Sequence, residues 1–379
     1  LVDLKNIIQS ANINFLFGSG ISSPYLSTLG QVEQRFAELE AQQCSDSLYL
    51  LVQASIRRAY FEKCIKANIN IVEKKACSLD VMGNYIRLFK TLNQILAARK
   101  SNLIDRQVNL FTTNMDIFPE IALEHLGAEF NDGFHGRFNP TFSLGNFKKS
   151  IMKTSQQYAV ASELPLFNLF KLHGSVSWKM QSDDQIVLDR DLSVVNKIAN
   201  LKLSASSFIN VFDSNNNIHP TEKLVELAKA LRKTTEAKQF NEAYDGLVMV
   251  NPNKDKFRHT TMNRNYYELL RMYSNELERE NSILFVMGFS FADEHIVEIT
   301  NRVVRSNPTL KVIVFGYDSG AESDILQNLK IDKNSGRSQN IQFYPRRIHK
   351  VEETSEELPY NLSNIDQFCF SEILRSING

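Results

Sequence analysis

The chain has 379 residues, with 43 Lys and Arg against 43 Asp and Glu, so its formal net charge at neutral pH is zero. That length exceeds one small core and calls for a large α/β domain with a sizeable insertion, or two lobes. Balanced charge gives no field to steer a polyanion, so direct nucleic-acid binding is not expected despite the basic pairs Arg57-Arg58 and Arg346-Arg347, and a small ligand is the better expectation.

Cys44, Cys64, Cys77 and Cys369 form no C-x-x-C pair and have no nearby His partner, so no zinc site is expected. Isolated cysteines fit buried thiols in a reducing compartment. No apolar run approaches the roughly 20 residues of a membrane span, and no signal-peptide pattern opens the sequence. A cytoplasmic protein without membrane contact is therefore expected.

In chain order, Asn12 to Phe17 predicts a short buried strand that runs into the small-residue turn Gly18-Ser19-Gly20-Ile21-Ser22. From about Leu29 to Lys100 the pattern becomes amphipathic helix: Val32-Phe36-Leu39, then Leu48 to Ile65, then Val81 to Ala98. Val108 to Thr112 predicts the second strand, and a helix over Ile117 to Leu126 follows, with Asp116 as cap and Pro119 in its first turn. Residues 127–160 lack a period and predict loops with short strands, before a third strand from Leu166 to Leu172.

A polar stretch from about Met180 to Pro220 and a helix from Glu222 to Arg232 predict a second insertion. The sheet is expected to resume at Leu247 to Val250, ending on Asn251-Pro252, and a long helix should run from about Asn263 to Glu280. Ile283 to Met287, Lys311 to Phe315 and Ile341 to Tyr344 predict strands, separated by helices over Asp293 to Arg305 and near Glu322 to Leu329. This alternation argues for a parallel sheet covered on both faces. The expected division is a Rossmann-like sheet domain over 1–30, 101–179 and 245–350, helical insertion 31–100, second insertion 180–244 and helical tail 351–379.

Polar residues cluster where strands are expected to end, the usual place for ligands in an open α/β sheet. Gly18-Ser19-Gly20 is a fragment of a phosphate-binding turn, but the third glycine of G-x-G-x-x-G is replaced by Ser23, so a plain tight turn is equally consistent. Thr112-Thr113-Asn114-Met115-Asp116 supplies hydroxyls, an amide and a carboxylate suited to ribose and a held water, beside the capping role of Asp116. His173 has an imidazole suited to general-base work, with Gly174 leaving room beside it, against the commoner structural role of a lone histidine. His135, between Gly133 and Gly136, is placed in a loop near the site.

Gly288-Phe289-Ser290 repeats the strand-to-small-residue pattern, with Ser290 facing a phosphate or ribose and Asp293 capping the next helix. Gly316-Tyr317-Asp318 offers an aromatic face and a carboxylate for adenine and its ribose. Trp178 is expected in a core or lobe contact.

Taken in order, Gly18-Ser19-Gly20-Ile21-Ser22, Thr113-Asn114-Met115-Asp116, Leu172-His173-Gly174 and Gly288-Phe289-Ser290 resemble the sirtuin motifs G-A-G-I-S, T-Q-N-I-D, L-H-G and G-x-S. The resemblance covers about residues 12–318 and implies a Rossmann-like NAD domain. Ser23-Pro24-Tyr25-Leu26 stands where sirtuins have P-D-F-R, and the paired C-x-x-C zinc lobe is absent. Leu172-His173-Gly174-Ser175 and the run Gly288 to Ile296 look like the sirtuin-like NAD hydrolases of bacterial anti-phage defence, where helical insertions replace that lobe.

The resemblance implies NAD as substrate, no zinc, and cleavage of the nicotinamide-ribose bond to nicotinamide and ADP-ribose. NAD would lie with its pyrophosphate over Gly18, Ser19, Gly20, Ile21 and Ser22, and with its adenosine toward Ser290 and Asp318. Thr113 and Gly288 would line the same crevice. Such cleavage builds positive charge on the ribose and needs an aimed water, as in glycoside hydrolysis. Asn114 would orient water or ribose, His173 would take a proton, and Asp116 would hold the nicotinamide end or fix its loop.

An unregulated NAD hydrolase is toxic, so control by homo-oligomer assembly is expected, with 30–100 as the contact surface. The short stretch after about residue 345 leaves no room for a sensor domain, so the resemblance implies a DNA-translocating ATPase partner of the HerA type. The alternatives are an NAD-dependent deacylase and a non-catalytic ADP-ribose or NAD-binding subunit. A dehydrogenase is least expected, because Glu38 and Glu40 fall inside a helix where a ribose-binding acid would be required.

Overall fold

The computed structural model describes residues 4–27, 32–42, 44–100, 104–157, 160–181, 185–231, 234–250, 260–330, 340–345, 348–351 and 354–378. Leu29, Asn251-Pro252 and Arg346-Arg347, all singled out in the sequence, lie outside them.

Seven segments form one all-parallel sheet: β1 Asn12–Phe17, β2 Gln107–Thr112, β3 Glu129–Asn131, β4 Leu166–Lys171, β5 Ser282–Met287, β6 Lys311–Phe315 and β7 Ile341–Phe343. Their spatial order is β7-β6-β5-β1-β2-β4-β3. The chain builds outward from β1 on one side, through β2, β4 and β3, then returns to add β5, β6 and β7 on the other. The strand order therefore reverses at the β1/β5 boundary, where open α/β sheets place their ligand crevice.

Continuous apolar strands require cover on both faces, and both are covered. On one face Phe15, Phe17, Leu110, Leu169 and Phe285 pack with α2 (Leu79–Ala97), which follows α1 (Asp46–Tyr60), and with α3 (Phe118–Leu126). Tyr85 of α2 stacks on Phe118 of α3 at 5.5 Å between ring centroids. On the other face Leu16, Phe111, Phe170, Val286 and Val314 meet α4 (Thr260–Glu278), α5 (Glu294–Ser306) and α6 (Ser319–Asn328). Phe111 lies face to face with Phe170 at 4.6 Å and edge-on to Tyr273 of α4 at 5.0 Å. Aromatic pairs of this kind add about 1 kcal/mol beyond their burial.

One polar row crosses this second face. Asn14, Asn109, Asn168 and Asn131 are mutually in register on β1, β2, β4 and β3. Asn109 Nδ2 donates to Asn14 Oδ1 at 2.9 Å, and Asn168 Nδ2 donates to Asn109 Oδ1 at 3.1 Å.

Two expectations change. Leu247 to Val250 is not a strand of the sheet: it meets the chain after β4 through a single antiparallel bridge, Gly174 with Met249, and Val250 N donates to His173 O at 2.8 Å. All four residues are buried, so the apolar run that suggested a strand is spent on covering the carboxyl edge. The short strands expected within 127–160 include Glu129–Asn131, which forms the edge of the sheet. His135 is also displaced from its expected loop: Phe134–His135 pairs with Thr141–Phe142 in a four-stranded antiparallel sheet completed by Trp178–Met180 and Ile186–Leu188. Trp178 is buried there against Phe134 and Phe142.

The helices over 46–65 run as α1 followed by one wider turn, Phe61–Ile65. Among the described residues no helix is long and apolar enough to cross a membrane.

Candidate active site at the carboxyl edge

The strand ends are level. Phe17 pairs with Thr112 and Met287, and Thr112 pairs with Lys171, so Gly18, Thr113, Leu172 and Gly288 leave the sheet at one height. Thr113 N and Leu172 N extend the ladder by donating to Phe17 O and Thr112 O.

The glycines at this edge serve backbone-to-backbone contact. A Cβ on Gly18 would lie 2.4 Å from Gly288 O, and one on Gly288 would lie 2.5 Å from Ile21 N, with Gly288 at φ +59°. The turn after β1 is a single 3-10 turn, Ser19–Ser22, instead of a long helix. Gly18 N donates to Met287 O, Gly20 N to Gly288 O and Ile21 N to Gly18 O, so three amides assigned to a pyrophosphate already have acceptors. Ser19 is exposed and Ser22 is buried.

Ser22 joins the turn to the Asn114–Asp116 loop. Its Oγ donates to Asp116 Oδ2 at 2.8 Å and lies 2.9 Å from Tyr85 Oη. Asp116 Oδ1 accepts from Phe118 N at 3.2 Å, although the capping position of α3 falls on Ile117, one residue later than expected. Both Asp116 oxygens are thus engaged, and the carboxylate is buried. Burial and the neighbouring Asp116 charge push the Tyr85 hydroxyl well above its ordinary range.

Asn114 is 6 % exposed. Its backbone N–H donates to Thr112 Oγ1 and its Nδ2 donates to Gly18 O, both at 3.0 Å. Its Oδ1 is buried with no hydrogen-bond partner. A buried unmatched acceptor costs about 1–3 kcal/mol, which a ligand hydroxyl or water would recover.

Beneath the loop lies Lys171, the last residue of β4 and 2 % exposed. Its Nζ donates to the carbonyls of Asn114 and Asp116 and sits 3.1 Å from Glu120 Oε1. Burial raises the Glu120 carboxyl to about 7, against the opposing pull of Lys171. An ammonium held by two carbonyls and a carboxylate fixes the loop that carries Asn114.

His173 approaches from the other face. Its Nε2 is 3.1 Å from Asp293 Oδ2, and its ring centroid is 6.0 Å from that of Tyr266 on α4. Asp293 also caps α5 as expected, its Oδ1 accepting from His295 N and Ile296 N. The turn leading to it contains a second left-handed residue, Phe291 at φ +58° and 1 % exposed. A bulky residue in that region costs on the order of 1–2 kcal/mol and is characteristic of functional turns.

The edge therefore brings together Gly18, Ser22, Thr113, Asn114, Asp116 and Gly288. Ser290 and Asp318 stand apart from this network: both are exposed, Ser290 O accepts from Asn328 Nδ2, and Asp318 Oδ1 caps α6 by accepting from Ala321 N. Sequence reading missed the His173–Asp293 contact, Tyr85, and the Lys171–Glu120 pair. A lysine closing the mainly apolar strand Leu166–Lys171 was the available signal. Among the described residues no group of three or more His, Cys, Asp or Glu side chains is placed to hold a metal ion.

The fold and this edge define a Rossmann-like α/β protein with a seven-stranded all-parallel sheet. No protein-family model and no curated protein matches the chain.

Proposed function

We propose that the protein is a sirtuin-like NAD+ glycohydrolase that acts without zinc. The observation that carries this reading is the buried Asn114 Oδ1, without a partner, beside the glycine turn at the β1/β5 switch point. His173, whose Nε2 lies 3.1 Å from Asp293 Oδ2 without hydrogen-bond geometry, adds a candidate proton acceptor beside a carboxylate.

In this reading Asn114 Oδ1 accepts a hydrogen bond from a ribose hydroxyl or the attacking water. His173 takes the water proton as the new C–O bond forms at the ribose carbon and the C–N bond to nicotinamide breaks. NAD+ and water thus become nicotinamide, ADP-ribose and a proton. Asp116, Ser22 and Lys171 are positioning residues that hold the Asn114 loop. The resemblance to defence hydrolases extends the proposal to NAD depletion during phage infection, in a homo-oligomer or with a HerA-type ATPase.

A second reading has its own support. Because the Gly18, Gly20 and Ile21 amides are already committed, a non-catalytic ADP-ribose or NAD-binding subunit is the alternative. Incubating the purified protein with NAD, alone and with its genomic neighbour, separates the two by chromatography of the products. Nicotinamide and ADP-ribose in equal amounts, with no acylated peptide present, support hydrolysis. A requirement for such a peptide would indicate deacylation, and intact NAD with measurable binding would indicate the subunit.

A further inference from the structure

The loop that carries Asn114 is held by two separate parts of the chain. From β4 and the residues after it come Lys171 Nζ, on the carbonyls of Asn114 and Asp116, and Ser175 Oγ and Val176 N, on Met115 O at 3.3 and 3.0 Å. The other contacts come from the helices between β1 and β2. Asn68, fully buried at the start of the short helix Asn68–Val72, accepts from Ile117 N at 3.2 Å through its Oδ1. Its Nδ2 donates to Ile65 O at 2.9 Å, in the wider turn Phe61–Ile65. One side-chain amide thus ties that turn to the loop, with both of its ends in use. Tyr60, the last residue of α1, brings its hydroxyl to 3.9 Å from Met115 Sδ.

Tyr85 of α2 makes the third contact, and its direction is fixed. Ser22 has a single hydroxyl proton, which it gives to the Asp116 carboxylate, an acceptor only. Tyr85 Oη must then donate to Ser22 Oγ. Ser22 therefore meets Asn114 as an acceptor too, 3.5 Å from Asn114 Nδ2, which also donates to Gly18 O. The donor chain from Tyr85 keeps the NH2 end of Asn114 on Ser22 and Gly18 and leaves Oδ1 as the opposite end. Misplacing a reacting group by about 1 Å can cost roughly 100-fold in rate, so groups that fix this loop bear on the chemistry Asn114 performs.

We propose that Tyr85 and Asn68 are positioning residues for Asn114, which makes the helices between β1 and β2 part of the catalytic apparatus and carries any displacement of those helices to the carboxyl edge. Their effect on turnover rests on the NAD+ hydrolase reading, whereas their effect on the loop does not.

Tyr85→Phe keeps the ring stacked on Phe118 and removes only the hydroxyl. It should lower kcat for NAD about tenfold, with KM within about threefold of wild type. In a Ser22→Ala background the same change should alter kcat by less than about twofold, since its effect passes through Ser22. Amide hydrogen exchange at Asn114, followed without nucleotide, should be at least about tenfold faster relative to β5 in both Tyr85→Phe and Asn68→Ala. Asn68 bonds Ile117 N and not Asn114 N, so faster exchange at Asn114 reports the whole loop and not a lost partner. Unchanged exchange at Asn114 in both variants overturns the proposal. So does wild-type kcat in Tyr85→Phe, or an equal loss of kcat when Ser22 is already Ala. Wild-type protein that leaves NAD intact sinks the hydrolase reading, and exchange at Asn114 then decides the proposal alone.

Discussion

His173 Nε2 and Asp293 Oδ2 stand 3.1 Å apart although β1 and β2 lie between the strands that deliver them. Adjacent strands are spaced by about 4.8 Å, so the two loops must reach toward each other over roughly 14 Å of sheet edge. The pair thus spans the ends of β1 and β2, where Gly18 and Asn114 sit. If this contact orients a catalytic imidazole, Asp293→Asn should lower NAD turnover at least tenfold while keeping an oxygen to cap α5. Asp293→Ala should lose activity and, with the cap, about 1 kcal/mol of stability. His173→Ala should lower turnover by roughly two orders of magnitude or more. Nicotinamide release measured beside urea unfolding checks each, and wild-type turnover in His173→Ala would rule out its role as base.

Asn114→Ala removes the donor to Gly18 O and the buried, unpartnered Oδ1. Turnover should fall about 100-fold, with a stability loss of about 1–2 kcal/mol from the stranded carbonyl. Asn114→Asp keeps an acceptor and loses the donor, so it should bind nucleotide better than the alanine variant in a fluorescence titration. Equal binding by the two would remove Oδ1 from the ligand contact.

Gly288→Ala combines a left-handed backbone with a Cβ 2.5 Å from Ile21 N, whereas Gly127, also left-handed at φ +60°, has nothing within 4 Å of its added Cβ. Gly127→Ala should cost about 1 kcal/mol, the conformational penalty alone. Gly288→Ala should cost at least about 3 kcal/mol, since backbone must also move. Chemical denaturation of the two variants gives the difference directly.

The Glu120 carboxyl, raised to about 7 by burial, ties stability to pH. A carboxyl with a folded pKa above its unfolded value favours the native state while protonated. Its contribution is full below about 4.5 and is lost as pH rises through about 7. The size is about 3 kcal/mol across that window. Glu120→Gln should flatten this part of the stability profile, measured as urea midpoints between pH 5 and 8. A profile that keeps its slope would assign the titration elsewhere.

Much of the sheet was legible because β1, β2, β4, β5 and β6 are mainly apolar runs, broken in β1, β2 and β4 by a single Asn and closed by polar or small residues. Leu247 to Val250 has the same appearance and is not a strand, since burial over a loop and burial in a sheet select the same side chains. Asp293 was readable as a cap because capping is a relation between near neighbours, whereas Asp318, expected at a ribose, caps α6 instead. The second contact of Asp293, with His173, depends on strand order, which no local pattern encodes. The same holds for Ser22 with Asp116 and for Lys171 beneath the Asn114–Asp116 loop.

The asparagines of β1, β2 and β4 have one further consequence. Each strand continues beyond its Asn with alternating inward side chains: Phe15-Leu16-Phe17, Leu110-Phe111-Thr112 and Leu169-Phe170-Lys171. Apolar strands of this kind pair almost equally well when slipped by two residues, since such a slip preserves the faces. A slip of that size would carry one amide opposite Phe111 or Phe170 and strand its donors in an apolar layer. The row therefore acts as an alignment mark, penalising mispaired sheets more than it strengthens the correct one. The strand ends that bear Gly18, Asn114 and His173 inherit their common level from it.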